Sequence, residues 1–160
     1  MNEKVIELLE TIEKNKKKLG QIYTTLEEAY AVEVSLIGKN EKSAVMVAGF
    51  LENYYTCLET IFLRISQFFE NNLTDRRWHL ELLEKMTLHL EGIRPAVVSE
   101  ENYPRLLELL KFRHFRRYYF DLAYDWDRLE FLIRKLREAH PVVLCDANQF
   151  SRFLQELFIE

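Results

Sequence analysis

Glycine and proline are scarce, at 4 and 3 residues in a chain of 160. A loop-rich all-β fold needs many more turn residues, so that class is excluded. No glycine-rich phosphate loop is present. Cysteine is limited to Cys57 and Cys145, too few for a cysteine zinc site. Both lie inside apolar patterns and read as reduced, buried residues of a cytoplasmic protein. Long hydrophobic runs are missing as well. The longest strongly apolar stretch without charge is Ser43–Leu51, and a membrane span needs about 20 such residues. The opening Met1-Asn2-Glu3-Lys4 is unlike a secretory signal or an arginine-rich transit peptide. Positive charge is not in excess: Lys+Arg is 22, Asp+Glu is 26, and the net charge is −4. A protein coated all over with nucleic acid is thereby disfavoured, but a local basic patch is not.

What remains is apolar and helical. Hydrophobic residues make up 48% and charged residues 30%, which fits a folded core rather than a disordered tail. The length suits one domain spanning residues 1–160. From Ala44 to Phe69, apolar residues fall at Val47, Leu51, Tyr54, Leu58, Ile61, Ile65 and Phe68. Steps of three and four put these on one helical face. Phe50, Tyr55, Phe62 and Phe69 widen the stripe, so this helix should have neighbours on two sides. The same period runs through Val5, Leu8, Leu9 and Ile12 and resumes at Leu19, Tyr23, Leu26 and Tyr30. The lysines from Lys14 to Lys18, with Gly20, mark a break or loose turn between the two runs. Gly38-Lys39-Asn40 reads as a helix stop and turn.

A loop at Asn71–Asp75 should lead to a third helix through Trp78, Leu82, Leu83, Met86 and Leu90, ended by Gly92 and Pro95. Ser99 is the N-cap expected for a fourth, running through Leu106, Leu107, Leu110 and His114 to about Phe120, with Pro104 in its first turns. Asp125 caps a fifth helix carrying Trp126, Leu129, Ile133 and Leu136. Pro141 should kink or break the chain before a last helix with Phe150, Phe153, Leu154 and Leu157. The fold expected is an all-α, antiparallel up-and-down bundle: a four-helix core with an extra C-terminal helix.

Chemistry concentrates at Lys111-Phe112-Arg113-His114-Phe115-Arg116-Arg117-Tyr118-Tyr119-Phe120, which holds four cations and a histidine without an acid. Arg113 and Arg117 stand one turn apart, and His114 and Tyr118 form a parallel row. Guanidinium groups fork phosphate oxygens, imidazole moves protons near neutral pH, and rings stack on bases. Arg113, His114 and Tyr118 are the candidate catalytic residues; Lys111, Arg116 and Arg117 are candidate phosphate ligands for RNA. The bland alternative is a solvated basic face whose arginines pair with acids on a neighbouring helix.

Several segments together resemble one family. Leu51–Phe62, Trp78-His79 with Leu82-Leu83 and Met86, Arg94–Ser99, Phe112-Arg113-His114 and Asp125–Leu129 follow in order and spacing the pattern of the HepT-like branch of the HEPN family. The resemblance implies a small helical homodimer, often paired with a minimal nucleotidyltransferase antitoxin. Toxins of that family are metal-independent ribonucleases. Their motif is Arg, four residues, His, one residue, Tyr, with two copies meeting across the dimer. The His would assist attack of a ribose 2′-hydroxyl on the adjacent phosphate, and the Arg would steady the developing charge.

Here the motif is degenerate. Arg113 takes the Arg position, Tyr118 stands where the family has His, and Phe120 stands where it has Tyr. A phenol ordinarily titrates near 10 and is a poor base at neutral pH. In related systems the nucleotidyltransferase adds AMP to the motif Tyr; Phe120 offers no acceptor, although Tyr118 and Tyr119 are near. His114 is the candidate substitute for the missing His, but it projects about 100° around the helix from Arg113. His79, His89 and His140 are isolated in sequence, so neither a metal site nor a cofactor is expected. Trp78, Trp126 and the Tyr54-Tyr55 pair read as packing residues. Three roles stay open: a ribonuclease acting through Arg113 and His114; a module that binds RNA, a nucleotide or a nucleotidyltransferase without cleaving; and a purely structural bundle.

Overall fold

The structure, a computed structural model, describes residues 2–70, 78–118 and 123–159. Its helices are α1 (Glu3–Ala31), α2 (Glu33–Ile37), α3 (Glu41–Phe69), α4 (Trp78–Met86), α5 (Tyr103–Tyr118) and α6 (Trp126–Leu157). The expected loop at Asn71–Asp75 and the expected helix end at Phe120 lie outside the described residues. Among the described residues there is no strand, only an isolated bridge between Leu90 and Arg94.

Helix starts follow local chemistry. Asn2 caps α1 by accepting from the Lys4 N–H at 3.1 Å. Gly38 turns the chain at φ 84°, a conformation that costs glycine little, and Asn40 then opens α3 with a reciprocal capping box to Ser43. Asp125 caps α6 through the Asp127 N–H at 3.0 Å. Ser99 does something other than cap: its N–H and Oγ both donate to Asp146 of α6, at 3.0 and 2.9 Å, and α5 begins only at Tyr103.

Side-chain pairs fix the directions of the long helices. Tyr30 meets Glu130 and Tyr23 stacks on His140, so α1 and α6 run antiparallel. Asn15 meets Cys57 where α1 packs on α3. Arg116 meets Glu52 and Arg113 meets Glu59, which opposes α3 and α5. Arg128 reaches Glu108, and Asn102 reaches the Ala139 carbonyl, which opposes α5 and α6. The result is the expected up-and-down bundle, with α4 laid against α3 and α5. As the wide stripe foretold, α3 packs on α1, α4, α5 and α6, and both Tyr54 and Tyr55 are fully buried.

Two expected interruptions are absent, and one helix ends early. Lys14–Gly20 continues as helix within α1, and Pro141 sits inside an unbroken 32-residue α6, so the extra C-terminal helix is the second half of α6. Proline removes one intrahelical bond, but Ala139, His140 and Val143 are buried on either side of it, and their packing holds the helix through. The third helix stops at Met86 rather than near Gly92. Beyond it the Met86 carbonyl accepts from the N–H groups of Val97 and Val98, so the connector folds back on the helix end. Cys145, expected inside, is exposed; Cys57 is half-buried and burial pushes its thiol pKa up.

One buried polar group should make the fold pH-sensitive. His140 lies between Tyr23, stacked at 4.3 Å, and the Tyr54 hydroxyl, 2.7 Å from Nδ1. Burial raises the Tyr54 pKa, so the phenol keeps its proton and donates it to Nδ1. Burial also lowers the His140 pKa below the usual 6.5. The neutral imidazole is therefore favoured in the folded chain, while the unfolded chain binds a proton more readily. Stability should be full above the unfolded pKa and fall as the pH drops from there through the folded value, by at most about 1.4 kcal/mol per pH unit. Urea titrations of the native chain and His140→Gln between pH 7.5 and 5 should show a shallower loss in the variant.

Candidate functional site

α5 carries the basic stretch on a face split between burial and solvent. Arg113 points inward, with a side chain only 6% exposed. Its Nη1 donates to Glu59 Oε1 at 3.0 Å and lies 3.2 Å from His79 Nδ1, while its buried Nε has no partner among the described residues. His79 Nδ1 in turn lies 2.9 Å from both Glu59 oxygens. A carboxylate only accepts, so Nδ1 carries the imidazole hydrogen and bonds to Glu59. Arg113 and His79 are thus two donors sharing one buried acceptor, and three helices meet there: α3, α4 and α5.

The other predicted residues lie on either side of Arg113 along the helix. Arg116 pairs through Nε with Glu52 and donates Nη1 to the Tyr124 hydroxyl at 3.1 Å. Arg117 reaches the same Glu52 at 3.8 Å and stays half exposed. Lys111 and Tyr118 are exposed, as is His114, and the rings of His114 and Tyr118 lie 4.6 Å apart. Phe115 is exposed beside them. Arg113 and His114, proposed together from the sequence, therefore face different surroundings: one a buried ion pair, the other solvent. Arginine pairing with acids of a neighbouring helix describes Arg113, Arg116 and Arg117 alike. Tyr119 and Phe120 lie outside the described residues.

The sequence places Glu52, Glu59 and His79 only within segments of the family resemblance, with no site role for any of them. For Glu59 a signal existed, since it interrupts the apolar arc between Tyr55 and Phe62 with a carboxylate. A charge in that register needs a partner, and Arg113 is the partner. His79 stood beside Trp78 in the family pattern, but nothing in its local spacing tied it to Glu59 or Arg113.

A family model described as HepT-like protein matches residues 46–154, from within α3 almost to the end of α6. The chain belongs to the HepT-like family. Among curated proteins and among solved structures, nothing matches. In this HepT-like chain the matched region includes all three members of the Glu59–His79–Arg113 cluster and the whole exposed face of α5. Among the described residues no cluster of His, Cys, Asp or Glu could hold a metal ion, and no helix is long and apolar enough to cross a membrane.

Proposed function

We propose that this HepT-like chain handles RNA as a toxin-type protein. It acts in the cytoplasm as a homodimer, with a minimal nucleotidyltransferase as its antitoxin partner. The observation that carries the reading is the exposed end of α5, where Lys111, His114, Arg117 and Tyr118 set cations beside two neighbouring rings. Cations neutralise phosphates and rings take bases, a pairing suited to single-stranded RNA. Phe115, 42% exposed, and Tyr118, 66% exposed, supply apolar surface for a second copy. Burial of Arg113 favours binding over the family's own cleavage route, because a guanidinium held by Glu59 does not reach a phosphate.

Binding of labelled tRNA measured over a salt series tests this. Affinity should fall steeply with salt, and Lys111→Glu with Arg117→Glu should weaken it at least tenfold. In EDTA, Tyr118→His should cut end-labelled tRNA faster than the native chain, since it restores an imidazole at the motif position. A native chain that binds no RNA at low salt and elutes as a monomer overturns the reading.

A further inference from the structure

We propose that His79, oriented by Glu59, is the catalytic base of this chain and supplies the proton transfer that position 118 lacks. The proposal rests on the RNA reading above and names a residue outside the family motif. Three contacts fix the ring. Nδ1–H bonds to the buried Glu59 carboxylate at 2.9 Å, Arg113 lies against the same edge at 3.2 Å, and the Trp78 ring covers one face with centroids 3.7 Å apart. With the hydrogen on Nδ1, the lone pair is on Nε2. That atom makes no hydrogen bond among the described residues, and the side chain is 31% exposed. A carboxylate behind Nδ1 selects this tautomer and stabilises the imidazolium formed when Nε2 takes a proton. A structural histidine needs no such reachable second nitrogen.

Position supports the role. The Arg113 contact puts the imidazole against α5, and Arg117 follows one turn later, about 40° around the helix. The proposed path takes RNA from the exposed end of α5 past the partly exposed edge of His79. Among the described residues the groups in contact with the imidazole are Glu59 from α3, Arg113 from α5 and Trp78 from its own helix. In the step, the ribose 2′-hydroxyl gives its proton to Nε2. Its oxygen bonds to the adjacent phosphorus, the bond from phosphorus to the 5′-oxygen breaks, and that oxygen takes a proton from water. The products are a 2′,3′-cyclic phosphate and a 5′-hydroxyl end, and the imidazolium returns its proton to solvent. Arg113 is a positioning residue, because it touches Glu59 and His79 rather than the phosphate.

His79→Asn separates this from a merely structural tie. The Asn amide can still donate to Glu59 but cannot take a proton. Cleavage of end-labelled tRNA in EDTA should fall at least 100-fold, with tRNA affinity and melting temperature close to native. The native rate should rise with pH through one ionisation that is missing from any residual rate of the variant. His89→Gln, at an exposed histidine, should cut like the native chain. Nitrogen NMR of the native chain gives an independent reading that does not depend on the variant folding. It should show His79 as the Nδ1–H tautomer, shifting when a non-cleavable 2′-O-methyl RNA binds. The proposal is overturned if His79→Asn cuts within threefold of native, if the native chain binds tRNA without cutting it, or if the resonance ignores the RNA. A native chain that binds no RNA overturns the functional reading itself, and the proposal with it.

Discussion

Arg94→Ala should destabilise the chain by about 3–5 kcal/mol, visible as a lower urea midpoint with an unchanged slope and a melting temperature roughly 10–15 °C lower. Arg94 has no exposed side-chain surface, which is rare for a guanidinium. Every direction it points has an acceptor. Nε donates to Glu70 Oε1 at 2.6 Å, and Nη2 pairs with the same carboxylate. Nη1 donates to the carbonyls of Leu88 at 3.0 Å and Pro95 at 3.1 Å, and Nη2 to that of Lys85 at 3.1 Å. The residue therefore does for the connector after α4 what a helix or sheet does elsewhere: it satisfies carbonyls that are turned inward. Alanine takes these donors from the Leu88 and Pro95 carbonyls and from a carboxylate only 9% exposed, while the Lys85 carbonyl keeps the Leu88 N–H. Arg94→Lys should recover less than half of the loss, because an ammonium has three donors and no planar fork. A loss below about 1 kcal/mol for Arg94→Ala would show that water reaches Glu70 and takes over.

The helices were legible because their signals are local. The period of α3, the Gly38 turn, the Asn40 start and the Asp125 cap all depend on residues a few positions apart. The errors came where tertiary packing outweighs local preference. Lys14–Gly20 and Pro141 look like breaks, yet Leu19 at the first and Ala139 and Val143 at the second are buried, and the long helices run through. Ser99 looks like a cap but donates its hydroxyl to Asp146, 47 positions away. The site divides the same way. A cluster of cations on α5 is visible in the sequence, and so is the carboxylate of Glu59 in an apolar arc. That Arg113 turns inward while His114 turns out follows from which face of α5 meets α3. That His79 joins Glu59 across 20 positions follows from where α4 docks, and neither is written in a local pattern.

Arg113→Ala should cost a similar amount, about 3–5 kcal/mol, for a reason that a second substitution exposes. The carboxylate it leaves behind on Glu59 is 6% exposed and keeps only the His79 hydrogen bond. Most of the loss is then the burden of an unpaired buried charge rather than the intrinsic worth of the ion pair. Glu59→Gln placed on top of Arg113→Met removes that charge and fills the space, so the double variant should be more stable than Arg113→Ala by at least about 1 kcal/mol. Denaturant titration of the native chain, Arg113→Met, Glu59→Gln and the double variant measures the coupling directly. The same set separates stability from function. If Arg113 acts by holding Glu59 and His79 in place, the double variant regains its fold but not its RNA cleavage, because an amide at position 59 offers no carboxylate to steady the imidazolium of His79. If the guanidinium instead met the RNA directly, Arg113→Lys, which keeps the charge but loses the fork, would weaken tRNA binding in step with cleavage. With Arg113 buried as it is, that variant should lose cleavage and leave tRNA affinity within about twofold of native.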